Sequence, residues 1–188
     1  RKMGGLGLFG ITAPEKYGGI GLGALEATLV TERIAEACAS TSLSYIAHAI
    51  LCVNNLKENA SDSQLSRYLP KLISGEWLGG MAMTEAGAGS DSLALQTKAV
   101  RNGSHYVLDG SKMFITNGPT ADVFVVYART GKSRKEISTF IVEKSFRGFR
   151  VGKRLHKLGM RGSPTSELIF EHCEVPEENR VGEENDSV

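Results

Sequence analysis

One short stretch of the sequence combines hydroxyl and carboxylate side chains with closely spaced glycines. Residues 81–91 read MAMTEAGAGSD, an apolar run followed by Thr84 and Glu85 and then by a loop that contains Gly87, Gly89 and Ser90. Because glycine has no Cβ, such a loop lets a ligand approach the backbone closely, and it also suits a tight turn. The pattern therefore predicts either a phosphate- or cofactor-binding loop or a plain tight turn.

The residues after this loop exclude one class of glycine motif. In phosphate-binding loops of the dinucleotide type, a helix starts directly after the glycines and directs its N-terminus at the phosphate. Here AGAGSDSLALQTKAV continues into residues typical of a strand. A dinucleotide-binding fold is therefore rejected, and any bound anion would be held by loop amides and by the hydroxyl of Ser90.

Composition excludes several other classes of protein. The 188 residues are 41% hydrophobic and 23% charged, with a formal net charge of +1, so we expect a globular chain without affinity for nucleic acid or an anionic membrane. No apolar run approaches the roughly 20 residues of a membrane span. Cys38, Cys52 and Cys173 form no CxxC pair, which favours reduced thiols and gives no metal site. The first residue is not Met, and we expect both ends of the chain to be cut.

The first third of the chain has the patterns of helices. Residues 25–36 carry an amphipathic stripe, and residues 42–56 are so apolar that we expect them to be buried on most sides. The run Ser61, Asp62 and Ser63 offers an N-cap for a third helix, which Pro70 is expected to kink or end. These patterns predict a helical domain, itself partial, over residues 1–76.

The pattern changes after Trp77 to short segments rich in β-branched and aromatic residues. Seven predicted strands lie in LGGMAM, LQTKAV, HYVLDGSKMFIT, DVFVVYA, ISTFIVE, FRVGKRL and SELIFEHCEV. Alternating residues on either side of Asn102 and Gly103 predict a hairpin turn at these two residues. Because no helix-length segment separates the strands, we predict an α+β fold in which residues 77–188 form a mostly antiparallel barrel or sandwich.

Several motifs, in order, resemble one known family. MAMTEAGAGSD, GSKMFITNGPTADVFVVYART and KLGMRGSPTSELIFEHCEVPEENRVGEEN, preceded by the helical region, resemble the acyl-CoA dehydrogenase family over essentially the whole chain. The resemblance implies FAD as cofactor, an acyl-CoA substrate, with isovaleryl-CoA favoured, and electron-transfer flavoprotein as electron acceptor. It also implies a homotetramer for the full-length protein, in the mitochondrial matrix of a eukaryote or the cytoplasm of a bacterium.

The resemblance also assigns site residues. It places the flavin against two stretches, which comprise Met81, Ala82, Met83, Thr84, Gly87, Gly89 and Ser90 in the first and Phe114, Ile115 and Thr116 in the second. Thr84 would bond the pyrimidine side of the flavin, Thr116 would lie near N5, and Ser90 would touch both flavin and thioester. Phe114 stands where the family usually has tryptophan, so an aromatic face remains but the indole N–H is lost. Ser133 and Arg134 would contact CoA, although a solvated turn explains them equally well.

The reaction implied by the resemblance is α,β-dehydrogenation of the thioester, in which a carboxylate removes the α-proton and a hydride passes to the flavin. The family's catalytic glutamate lies in a C-terminal helical domain, so we expect the base C-terminal to Val188 and no catalytic residue in this chain. Glu85 is interpreted as part of the loop's structural pattern. The alternatives are an acyl-CoA oxidase or a flavin monooxygenase of the same fold, and a non-catalytic binding module.

Overall fold

The computed structural model describes residues 1–187. In it, the chain forms a helical part that is followed by a β-sheet. The helices are α1 (Lys2–Gly5), α2 (Ala24–Ala37), α3 (Ala39–His48), α4 (Asn55–Asn59) and α5 (Asp62–Ser74), with a π-helical segment at Ala49–Asn54. The strands are β1 (Gly79–Ala82), β2 (Lys98–Asn102), β3 (His105–Thr116), β4 (Val123–Arg129), β5 (Ile137–Glu143), β6 (Phe149–Arg154), β7 (Thr165–Pro176) and β8 (Arg180–Val181). Within residues 1–187, no helix has the length and apolar character that crossing a membrane requires.

The helix α5 begins as its sequence predicts but passes through its proline. Ser61 Oγ accepts a hydrogen bond from the backbone N–H of Gln64 at 3.3 Å, and the Gln64 side chain accepts one from Ser61 N at 2.9 Å. Pro70 does not end the helix, because it lies on the exposed face, where water can bond the carbonyl that proline leaves free. The helix ends at Gly75, whose φ of +74° suits a glycine C-cap.

The eight strands form one sheet in the order β6-β7-β3-β2-β4-β5-β8, with β1 beside β4. Most neighbours are antiparallel, as predicted; the parallel pairs are β1 with β4 and a single residue pair between β2 and β4. The sheet is not closed into a barrel. The hairpin between β2 and β3 is confirmed, but its turn lies one residue later than predicted, because Asn102 still pairs with His105 and the loop is Gly103 and Ser104.

Strand β4 is buried on both faces, which explains its unbroken apolar sequence. Its alternate residues Val123, Val125 and Tyr127 pack against the helices, whereas Phe124 and its neighbours on the other face join a second core between the two halves of the sheet. Across that inner core, the Tyr106 ring centroid lies 4.9 Å from that of Phe140. The sheet thus folds over itself like a sandwich, and the helices cover one outer face.

A buried histidine connects the helices to the first strand. His48 Nδ1 accepts the backbone N–H of Gly79 at 2.8 Å, so its hydrogen is on Nε2, which donates to the Leu72 carbonyl at 3.1 Å. Asn117 makes a second connection, with Nδ2 donating to the Ser44 carbonyl at 2.9 Å and to the Gly79 carbonyl at 3.2 Å. These contacts fix the start of β1, which leads directly into the glycine loop.

Candidate cofactor and substrate site

The glycine loop is built on a tight turn directly after β1. Glu85 N donates to the Ala88 carbonyl at 3.0 Å and Ala88 N donates back to the Glu85 carbonyl at 3.1 Å, which leaves Ala86 and Gly87 at the tip. Ala88 is buried, whereas the tip is exposed. We refer to residues 85–90 as the glycine turn. A tight turn therefore exists here, and whether it also serves a ligand depends on the space around it.

The two glycines of this turn are not required by the fold itself. A Cβ built on Gly87 or on Gly89 meets no atom within 4 Å, and neither residue has a left-handed backbone. By contrast, a Cβ on Gly79 would overlap the Sγ atom of Cys52, so that glycine serves protein packing. Gly87 and Gly89 therefore leave their main chain open to solvent, where a ligand can approach it without meeting a Cβ.

The second predicted stretch forms a β-bulge beside the turn. Two residues of β3, Met113 and Phe114, lie opposite the single residue Glu167 of β7. Phe114 has a φ of +61°, and its side chain is 62% exposed. A non-glycine residue in this conformation costs about 1–2 kcal/mol, and such strain clusters at functional sites. Met113 N donates to the Thr84 carbonyl at 2.8 Å, so the two predicted flavin stretches lie side by side.

A buried ion pair lies beneath both stretches. Lys112, with 0% of its side chain exposed, donates from Nζ to Glu85 Oε1 at 2.8 Å and to the Met83 carbonyl at 3.0 Å. Glu85 also accepts the backbone N–H groups of Gln96 at 2.6 Å and Thr97 at 3.0 Å. Burial raises the pKa of Glu85, but the bonds from Lys112, Thr97 and Gln96 outweigh it, so the pKa is below its usual value. Burial lowers the pKa of Lys112.

These contacts agree with the structural interpretation of Glu85, but Lys112 is not among the site residues predicted from the sequence. The available signal was the period of two along β3, which places Lys112 on the same face as Tyr106 and Leu108, both of which are buried. A lysine on the core face of a strand requires a buried partner. Nothing in the sequence alone identified Glu85, 27 residues earlier, as that partner.

The residues predicted to contact the flavin differ in which of their atoms a ligand can reach. Ala82 and Ile115 have buried side chains in the inner core, so only their main chain is available to a ligand. Met81 and Met83 pack partly against the helix-facing core. Besides these two partly buried methionines, the predicted residues with side chains that solvent reaches, in whole or in part, are Thr84, Ser90, Phe114 and Thr116.

The residues predicted to contact CoA lie on the loop between β4 and β5, and this loop packs against the end of the glycine turn. Arg134 forms an ion pair with Asp91, the residue after Ser90, and its Nε donates to the Leu93 carbonyl at 3.4 Å. Ser133 Oγ accepts the backbone N–H of Lys135 at 3.3 Å. The structure therefore places Ser133 and Arg134 on a loop next to Ser90, with the guanidinium already shared with a carboxylate.

The His, Cys, Asp and Glu side chains of the described residues are dispersed. Within residues 1–187, no three His, Cys, Asp or Glu side chains converge on a point that could hold a metal ion. The neighbours His172 and Cys173 differ as adjacent strand residues should, since His172 is exposed and Cys173 is fully buried. All three cysteines are free thiols.

Comparison with known proteins shows which family the chain is similar to. Models of the acyl-CoA dehydrogenase N-terminal and middle domains match residues 1–76 and 80–173. The mitochondrial isovaleryl-CoA dehydrogenase of Pongo abelii is 52% identical over 192 residues, covering 100% of this chain and 45% of that protein. The butyryl-CoA dehydrogenase structure from Megasphaera elsdenii is 37% identical with a TM-score of 0.95, covering 99% of this chain and 50% of that one.

A structure of an acyl-CoA dehydrogenase complexed with FAD from Bacillus anthracis is 40% identical, with a TM-score of 0.92 over 98% of this chain and 32% of that one. The chain thus spans about half the length of the curated relatives it matches. The two domain models together cover most of the sequence, and their order is that of the helices and the sheet. The chain belongs to the acyl-CoA dehydrogenase family.

Proposed function

We propose that the protein carrying this chain is an FAD-dependent acyl-CoA dehydrogenase. The observation that carries the proposal is the juxtaposition of the glycine turn with the strained, exposed Phe114, joined by the hydrogen bond from Met113 N to the Thr84 carbonyl. A main chain left open by two glycines beside an exposed aromatic face suits a planar cofactor. When bound, FAD would supply the acceptor for two electrons and a proton.

The chain's own residues hold and orient that cofactor. The hydroxyl groups of Thr84 and Thr116 donate to the flavin, and the aromatic face of Phe114 packs against it. Gly87 and Gly89 let it approach the main chain without a Cβ in the way. Hydrogen-bond donors directed at the flavin stabilise the negative charge of its reduced form.

The substrate is proposed to be a short branched-chain acyl-CoA, with isovaleryl-CoA as the first candidate. Ser90 lies at the exposed end of the glycine turn, where it can contact both flavin and thioester, and the neighbouring loop with Ser133 and Arg134 contacts the CoA portion. The dehydrogenase named for isovaleryl-CoA in Pongo abelii supports this choice of acyl group. Arg134 must exchange its bond to Asp91 for a ligand phosphate, and because both side chains are well exposed, that exchange costs little.

We propose that the base for the α-proton comes from outside residues 1–187. Glu85 is buried, accepts three donors and has a lowered pKa, so it is a poor proton acceptor. Asp91 is paired with Arg134. The full-length protein is proposed to be a homotetramer that passes electrons to electron-transfer flavoprotein, in the mitochondrial matrix or in a bacterial cytoplasm.

The test uses the purified full-length protein, stripped of cofactor and titrated with FAD while flavin fluorescence is recorded. The wild type is expected to bind FAD, and anaerobic isovaleryl-CoA should bleach the oxidised flavin band more readily than butyryl-CoA or glutaryl-CoA. Gly87→Val should weaken FAD binding about tenfold or more without lowering the melting temperature. Gly5→Val is the matched control, because Gly5 is also exposed and a Cβ added there meets no atom within 4 Å.

Three results would redirect the proposal. A wild type that retains no FAD would favour the non-catalytic binding module. Rapid reoxidation by oxygen in place of electron-transfer flavoprotein would favour an oxidase. Bleaching by residues 1–188 alone would place the base within this chain.

A further inference from the structure

The segment between β1 and the glycine turn has its carbonyl groups held by β3. The Met83 carbonyl accepts Lys112 Nζ at 3.0 Å, and the Thr84 carbonyl accepts Met113 N at 2.8 Å. The donors are adjacent in sequence, and so are the acceptors. The position of Thr84 relative to β3 therefore depends on a side chain as well as on the backbone.

The Lys112 ammonium is itself held by a carboxylate that closes the loop. Glu85 Oε1 lies 2.8 Å from Lys112 Nζ, and the same carboxylate accepts the N–H groups of Gln96 and Thr97. Glu85 begins the loop, and Gln96 and Thr97 end it just before β2. One ion pair thus connects the two ends of the loop with β3.

The strained bulge starts directly after this anchor. Lys112 pairs regularly with Leu168, and the register then shifts at Met113 and Phe114. A residue such as Phe114, with a φ of +61°, keeps that conformation only where its surroundings over-determine it. Lys112 supplies such a constraint on one side, because its Cα is fixed by the strand and its Nζ by two acceptors.

Stability alone is a weak reason for this buried pair. Replacing a buried ion pair with apolar side chains of similar volume is often neutral or stabilising, because desolvating two charges is costly. An apolar pair, however, offers neither a donor for the Met83 carbonyl nor acceptors for the N–H groups of Gln96 and Thr97. The charges therefore give this region a defined shape that an apolar pair cannot reproduce.

We propose that Lys112, together with Glu85, is a positioning residue that holds the glycine turn and the Phe114 bulge in the arrangement that receives FAD. This inference rests on the proposed function. Lys112 acts through main-chain atoms and through Glu85. Its removal therefore changes cofactor affinity and the environment of bound flavin even where the fold is retained.

The test compares three variants of the full-length protein: Lys112→Met, the double variant Lys112→Met/Glu85→Leu, and Lys98→Met. Lys98 lies exposed on β2, so its variant controls for loss of a positive charge nearby. Each is measured by urea unfolding, by FAD titration and by visible circular dichroism of the bound flavin. Lys112→Met leaves an unpaired buried carboxylate and should lose stability. The double variant should recover only the part due to that charge, because the Met83 carbonyl and the N–H groups of Gln96 and Thr97 stay without partners.

The decisive result is the FAD affinity of the double variant under conditions where urea unfolding shows it to be folded. We expect it to be about 10-fold to 100-fold weaker than that of the wild type, the range typical of losing a residue that orients the groups contacting a ligand, with an altered flavin dichroism. Lys98→Met should have the same FAD affinity and the same flavin dichroism as the wild type. A double variant that folds and binds FAD with unchanged affinity and dichroism overturns the inference while leaving the proposed function intact, whereas a wild type that binds no FAD overturns both.

Lys112→Arg keeps the test decisive if the double variant does not fold. Arginine retains the charge but cannot place a single donor between Glu85 and the Met83 carbonyl in the same way. We expect a folded protein with weaker FAD binding and a changed dichroism spectrum. An FAD affinity and a flavin dichroism spectrum equal to those of the wild type would refute a positioning role for Lys112.

Discussion

Acidification should destabilise the chain through His48. This residue of α3 makes hydrogen bonds to α5 and β1, and it makes both only while its ring is uncharged. The ring is 1% exposed, packs edge-on against Phe9 at a centroid distance of 4.1 Å, and uses both nitrogens in hydrogen bonds. Burial lowers its pKa to about 4, against the opposing effect of the Leu72 carbonyl. A proton added to Nδ1 would face the N–H of Gly79 and break that bond.

The size of the effect follows from the two pKa values. Because the folded-state pKa of about 4 lies below the ordinary value of 6.5, the unfolded chain binds the proton more readily, so stability is lost as the pH falls through this window. Linkage gives a loss of about 2 kcal/mol between pH 7.5 and pH 5, and about 3 kcal/mol once the pH is below 4. The loss begins near pH 6.5, where the unfolded chain first takes up the proton.

Urea unfolding from pH 7.5 to pH 5 measures this slope. His48→Gln should be less stable than the wild type at pH 7.5, because it loses packing, but its free energy of unfolding should fall by about 2 kcal/mol less on acidification. His156→Gln, which removes an exposed imidazole, is the matched control for the loss of a histidine. Equal slopes for the wild type and His48→Gln would refute the assignment of the pH dependence to this ring.

Three further predictions concern local features. Phe114→Gly should be about 1 kcal/mol more stable than Phe114→Ala, the reverse of the usual order in a strand, because of the positive φ at this position; equal stabilities in urea would contradict the strain. Ser61→Ala should lower the free energy of unfolding by about 1 kcal/mol through loss of the N-cap, whereas Ser66→Ala, within the same helix, should not. Gly79→Ala should cost about 1–3 kcal/mol by overpacking against Cys52, so a wild-type melting temperature would show that the region relaxes freely.

Much of the fold could be read from local patterns. The seven predicted strands all form. In β2 to β7 the signal is the β-branched and aromatic residues bounded by turn residues, whereas β1 (GGMA) contains none. The helix N-cap at Ser61 could also be predicted from the sequence, because a serine followed three residues later by Gln64 satisfies two N–H groups at once. The continuation of α5 through Pro70 could not be predicted, because whether a proline ends a helix depends on which face of the helix it occupies.

The sequence by itself determined the element types, their order, the antiparallel preference and the position of the glycine turn. These follow from propensity and periodicity over a few neighbouring residues. Tertiary structure alone decided that Lys112 meets Glu85, that a bulge turns Phe114 outward, and that the sheet stays open. Each of these depends on contacts between segments far apart in the chain, where burial and hydrogen bonding override local preference.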